Sequence, residues 1–182
     1  MHLIGMGTYG SGLLATLWLN RARRSYIEAL GVTNWVAVES SDVDVRLHRL
    51  LQLALSEQAR IEIYTENQEI NFSENALVIS NLGGKNAIRL LAEISEGRLS
   101  IASICGLLPF KFDKTRKQAV SVGQKLSDWE QADPRRALKI IDPSSLIQSG
   151  IGMVEALEKI ENLMIDSVCK QVANSSRCMR LY

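Results

Sequence analysis

The spacing Gly5-x-Gly7-x-x-Gly10, close to the start of the chain, is one that can hold a phosphate. Glycine lets backbone N–H groups approach an anion closely, and a helix that begins there turns its positive end toward the charge. Thr8 and Ser11 lie in the same turn. A second stretch of this type, Asn81-Leu82-Gly83-Gly84-Lys85-Asn86, follows the apolar run Ala76–Ser80. It adds Lys85, which can meet a phosphate as a point charge. Glu39 comes at the end of a third apolar run, Trp35–Val38, where a carboxylate can accept hydrogen bonds from a ribose. The chemistry these residues offer is nucleotide binding. No later stretch supplies a set spaced for hydride transfer, and no catalytic residue is assigned.

The elements that must position these residues alternate regularly. A helix is expected from about Ser11 to Leu30, carrying Leu13, Leu14, Leu17, Trp18 and Ile27 at helical spacing and stopped by Gly31. Arg21, Arg23 and Arg24 crowd its later half and read as a solvated face. Strands are expected at Trp35–Val38, Ile61–Tyr64, Ala76–Ser80, Leu99–Cys105 and Leu138–Ile141. Helices follow at about Val43–Leu55, Ala87–Glu96, from near Lys114, and from about Leu146 to Val172, with 66–74 as a turn or hairpin. Such alternation predicts an α/β fold: a mainly parallel sheet with helices on both faces, Rossmann-like, its ligand cleft at the carboxyl ends of the strands.

Composition narrows the function classes. The 182 residues are 46% apolar and suit one domain, expected here over residues 1–172 with a short polar tail at 173–182. The formal net charge of +1 gives no global field toward nucleic acid or an anionic membrane, though local patches are compatible with it. Three cysteines in no Cys-x-x-Cys spacing, and two histidines far apart, argue against a disulfide framework or a metal cluster. No apolar run is long enough to span a bilayer and no signal-like start is present, so a cytoplasmic protein is expected.

The order of motifs resembles a known family. Ile4-Gly5-Met6-Gly7-Thr8-Tyr9-Gly10-Ser11, Val36-Ala37-Val38, Leu82-Gly83-Gly84, Ala92-Glu93-Ile94, Pro109-Phe110-Lys111-Phe112-Asp113 and Ile140-Ile141 before a long helix look like the nucleotide-binding half of FtsZ, the bacterial relative of tubulin. The resemblance covers about residues 1–172. It implies GTP or GDP as ligand, with Gly5, Gly7, Thr8, Gly10, Ser11, Glu39, Gly83, Gly84, Lys85 and Pro109 around it, and a role in filament, scaffold or cell-division-type assembly.

The departures shape what is expected further. Gly83-Gly84 passes directly to Lys85-Asn86 where the family has a longer glycine and threonine signature. The family's guanine-meeting asparagine of the first helix falls on Ala15, and the last helix has no match to its guanine-reading aspartate. The sequence stops about where the family's activating acidic loop would begin. The resemblance therefore implies a reduced relative that binds guanine nucleotide weakly or not at all and hydrolyses little. The alternatives are an NAD-binding Rossmann module, carried by Gly5, Gly7, Gly10 and Glu39, and a structural interaction protein that uses no nucleotide. A homo-oligomer or an FtsZ-like partner is expected on the last helix, where Ile160, Leu163, Met164 and Val168 need cover.

Overall fold

The computed structural model of the chain describes residues 1–38, 61–64, 72–97, 99–147 and 152–179. Six strands, β1 (His2–Met6), β2 (Asn34–Val38), β3 (Ile61–Tyr64), β4 (Phe72–Asn81), β5 (Leu99–Leu107) and β6 (Ala137–Ile141), form one sheet in the order β3-β2-β1-β4-β5-β6. Every pairing is parallel. Parallel strands buried on both faces read as continuous apolar runs, which is how β1, β2 and the second half of β4 are written in the sequence. The chain is thus an α/β protein with a Rossmann-like, doubly wound sheet.

Helices α1 (Gly7–Leu19), α2 (Arg21–Ala29), α3 (Lys85–Glu96), α4 (Arg116–Gln131), α5 (Ser144–Ile147) and α6 (Met153–Met179) cover it. One face packs Leu3, Trp35, Leu77 and Ile79 against Leu14 and Leu17 of α1, Ile27 of α2, and Met164, Ile165 and Val168 of α6. The opposite face packs Ile4, Val36, Val78 and Ile104 against Leu90 of α3 and Val122 and Leu126 of α4. Alternate residues of each strand serve the two cores, as the period of two requires. Trp18 meets Trp35 edge-on, with centroids 5.2 Å apart.

Several boundaries differ from the sequence reading, each for a local reason. The first helix begins at Gly7 rather than Ser11, and it breaks at Asn20. There the Asn20 side chain accepts the Arg23 N–H at 3.1 Å and starts a new helix, as an N-cap asparagine does. Gly31 (φ +101) follows α2, and Gly97 (φ +67) ends α3 in the left-handed conformation. Strand β4 begins at Phe72, so the end of the stretch read as a turn is strand. The expected helix at Val43–Leu55 lies outside the described residues.

The last helix also departs from expectation. Residues 144–147 form a separate short helix, and α6 runs from Met153 through to Met179, so most of the stretch read as a tail is helical. Ile160, Met164 and Val168, expected to await a partner, are buried in the chain's own core, and only Leu163 of that group is exposed, at 44%. The helix rotates one face onto the sheet and sends position 163 outward. Beneath it the Cys105 thiol donates to Gln171 Oε1 at 2.8 Å, joining α6 to β5.

Candidate functional site

The sheet order reverses between β1 and β4, with β2 and β3 on one side and β5 and β6 on the other. In doubly wound sheets this switch point opens a crevice at the carboxyl ends of the strands. Here it is a cleft of about 950 Å³ walled by the ends of β1, β4 and β5, the starts of α1 and α3, and the first turns of α6.

The three glycines of the first turn divide their work. Gly7 (φ +71) lines the cleft, with Asn86 Nδ2 so close that a Cβ on residue 7 would lie 2.5 Å from it. Gly5 and Gly10 do not line it. A Cβ on Gly5 would run into the Gly10 carbonyl, and one on Gly10 into the Ile79 carbonyl, so these two let α1 lie directly on β1 and β4. Ser11 is buried and donates to the Gly5 carbonyl at 3.1 Å, a structural contact. Thr8 lines the cleft.

Gly83, Gly84, Lys85 and Pro109 line the same cleft. The Asn81 side chain accepts the Gly83 N–H at 2.9 Å, which shapes the turn into α3. The space beside Gly83 is filled by Pro109 and by Thr115 Oγ1, 2.5 Å from where a Cβ would stand. Leu82-Gly83-Gly84 and Pro109-Phe110-Lys111-Phe112-Asp113, distant in sequence, are therefore in contact. Glu39 lies outside the described residues.

Neither α1 nor α3 has a side-chain cap; their N-cap positions are Met6 and Gly84. Each helix start thus leaves orphan N–H donors and a positive dipole end open to the cleft. Lys85 adds a charge there and has no ion pair among the described residues, although a lysine in a first helical turn is electrostatically disfavoured. Asn86, 8% exposed, lies against Gly7 with Oδ1 buried and without a hydrogen-bond partner among the described residues. The rest of the lining is mixed: Phe110, Val154, Leu157 and Ile160 are apolar, Glu158 and Glu161 acidic. Tyr9 also lines the cleft, its hydroxyl buried and without a hydrogen-bond partner among the described residues; burial first, then the nearby Glu161 and Cys105, push its pKa upward.

Asn86 and Tyr9 were not assigned as site residues from sequence. Asn86 was legible only as the residue after Lys85, and Tyr9 as part of the first motif. Arg116 is a clamp: it donates to the Pro109 carbonyl at 2.6 Å and to both oxygens of Asp142, at 3.1 and 2.7 Å. This fixes the loop after β5 to the end of β6. Among the described residues no group of three His, Cys, Asp or Glu is placed to hold a metal ion.

Fold and cleft together define a doubly wound α/β protein with an anion-suited crevice at its switch point. The chain matches no protein-family model, no curated protein and no solved structure.

Proposed function

We propose that the chain is an FtsZ/tubulin-like protein whose switch-point cleft binds the phosphates of a guanine nucleotide, GDP or GTP, weakly, and that it acts in filament, scaffold or cell-division-type assembly. One observation carries this reading: the uncapped starts of α1 and α3, the latter bearing Lys85, which forms no ion pair among the described residues, open on a single cleft together with apolar side chains. Two helix N-termini and a cation attract a polyphosphate more strongly than one turn alone. The contact between Gly83 and the Pro109–Thr115 loop brings the two most telling stretches of the resemblance together at the cleft, as adjacent parallel strands require.

The NAD reading rests on the first turn and Glu39, and it leaves Lys85 and the second loop without a role. A structural protein with no nucleotide leaves both helix starts unexplained. Purifying the chain and identifying any nucleotide released on denaturation separates the three. Any nucleotide retained is expected to be guanine nucleotide, and NAD in its place favours the Rossmann alternative; a weakly held nucleotide is lost on purification, so its absence alone decides nothing. With none released, a direct titration showing no affinity for either would contradict nucleotide binding altogether.

A further inference from the structure

The loop between β5 and α4 carries Phe112 at its tip, and this ring is 74% exposed. It is not a loose end. Phe112 lies flat on Phe110, with centroids 5.4 Å apart and planes 3° from parallel, and Phe110 itself packs against the core. Asp113 N–H donates to the Phe110 carbonyl at 3.0 Å, Thr115 donates to Asp113 Oδ1 through both N–H and hydroxyl at 2.7 Å, and Arg116 holds the Pro109 carbonyl. A large apolar side chain is thus held outward by a turn that is hydrogen-bonded on both sides.

The charge around the tip has one sign in excess. Lys111, Lys114 and Lys117 are exposed and form no ion pair among the described residues. The acid of the loop, Asp113, accepts both Thr115 hydrogen bonds, which lower its pKa and keep it anionic, so it offsets one of the three lysine charges and leaves the rest in excess. An exposed aromatic side chain flanked by lysines fits the interface of an anionic bilayer, where the apolar group enters the headgroup layer and ammonium groups stay at the phosphates. A single-stranded nucleic acid would be better served by a basic groove following its backbone, with further aromatic platforms. Here the lysines flank one exposed aromatic tip, with no second aromatic platform in the loop beyond the Phe110 ring it stacks on.

We infer that the Phe112 tip, with Lys111, Lys114 and Lys117, is a docking surface for an anionic phospholipid membrane. The inference is independent of what the cleft binds. Each lysine near such a surface is worth roughly fivefold in affinity, so three give reversible attachment that assembly would reinforce.

The full chain is tested by co-sedimentation with phosphatidylcholine vesicles, with and without phosphatidylserine. It should pellet only with phosphatidylserine, and less as salt rises. Phe112→Ser should weaken pelleting about tenfold, and Lys111→Glu, Lys114→Glu and Lys117→Glu combined should abolish it, with circular dichroism unchanged in both. Phe112→Trp should shift its emission to the blue on vesicles containing phosphatidylserine. Absence of pelleting by the wild type at low salt would overturn the inference. So would pelleting indifferent to these variants, or binding of a single-stranded RNA oligonucleotide through the same lysines without binding to vesicles.

Discussion

Arg116 grips Asp142 with both guanidinium nitrogens, at 3.1 and 2.7 Å, across the gap between the start of α4 and the end of β6. The same guanidinium holds the Pro109 carbonyl, so one side chain sets the wall of the cleft that carries Pro109 and Phe110. A bidentate fork of this kind cannot be copied by lysine.

This pair gives the fold a defined acid sensitivity. The Arg116 hydrogen bonds, with a smaller contribution from the Ser144 N–H, lower the Asp142 carboxyl from 3.8 to about 2. A depressed folded-state value means that the stabilisation is complete above about pH 4 and is lost as pH falls through about 2. With Asp142 partly exposed, screening reduces the contribution to about 1 kcal/mol. Urea titrations at neutral and acid pH should show Asp142→Asn removing this part of the pH dependence. An unchanged acid profile would show that the pair does not hold the fold.

Gly10 should tolerate nothing larger. Gly10→Ala would drive a methyl into the Ile79 backbone carbonyl and lift α1 from the sheet, at a cost of about 1–3 kcal/mol. Gly31→Ala, with open space around it, should show only the strain of its positive φ, about 1 kcal/mol. Unfolding midpoints measured side by side check the ordering, and equal costs would contradict the packing role of Gly10.

Helix α6 should show its phase in stability. Met164→Ala removes a fully buried side chain and should cost about 2–5 kcal/mol. Leu163→Ala, one residue away and exposed, should stay within about 0.5 kcal/mol. Thermal unfolding reads both. A costly Leu163→Ala whose effect depends on protein concentration would instead place residue 163 in an interface between copies.

How far the sequence could be read follows from where the burial pattern is strict. Trp35–Val38 and Ala76–Ser80 are buried on both faces, so their apolar runs announced the strands and, through the alternation, the parallel sheet. The break at Asn20 was hidden because Leu, Ala and Arg continue on both sides of one capping residue. The phase of α6 was hidden because Val154, Leu157 and Leu163 are as apolar as the buried Ile160, Met164 and Val168. At the site, glycine spacing marked the first turn without telling the packing glycines, Gly5 and Gly10, from the cleft-lining Gly7. That distinction depends on Ile79 and Asn86, which are close only after folding.

The most direct test of the cleft is calorimetric titration of GDP into the wild-type chain and into Lys85→Glu. Lys85 is exposed and not part of the core, so the substitution should leave the fold intact by circular dichroism. Removing a charge-assisted phosphate contact and adding a like charge should weaken binding by about tenfold or more. Saturable GDP binding by the wild type, weakened in this way by Lys85→Glu and exceeding any binding of NAD, is the predicted result. No GDP binding by the wild type, or equal affinity in a folded Lys85→Glu chain, would contradict it.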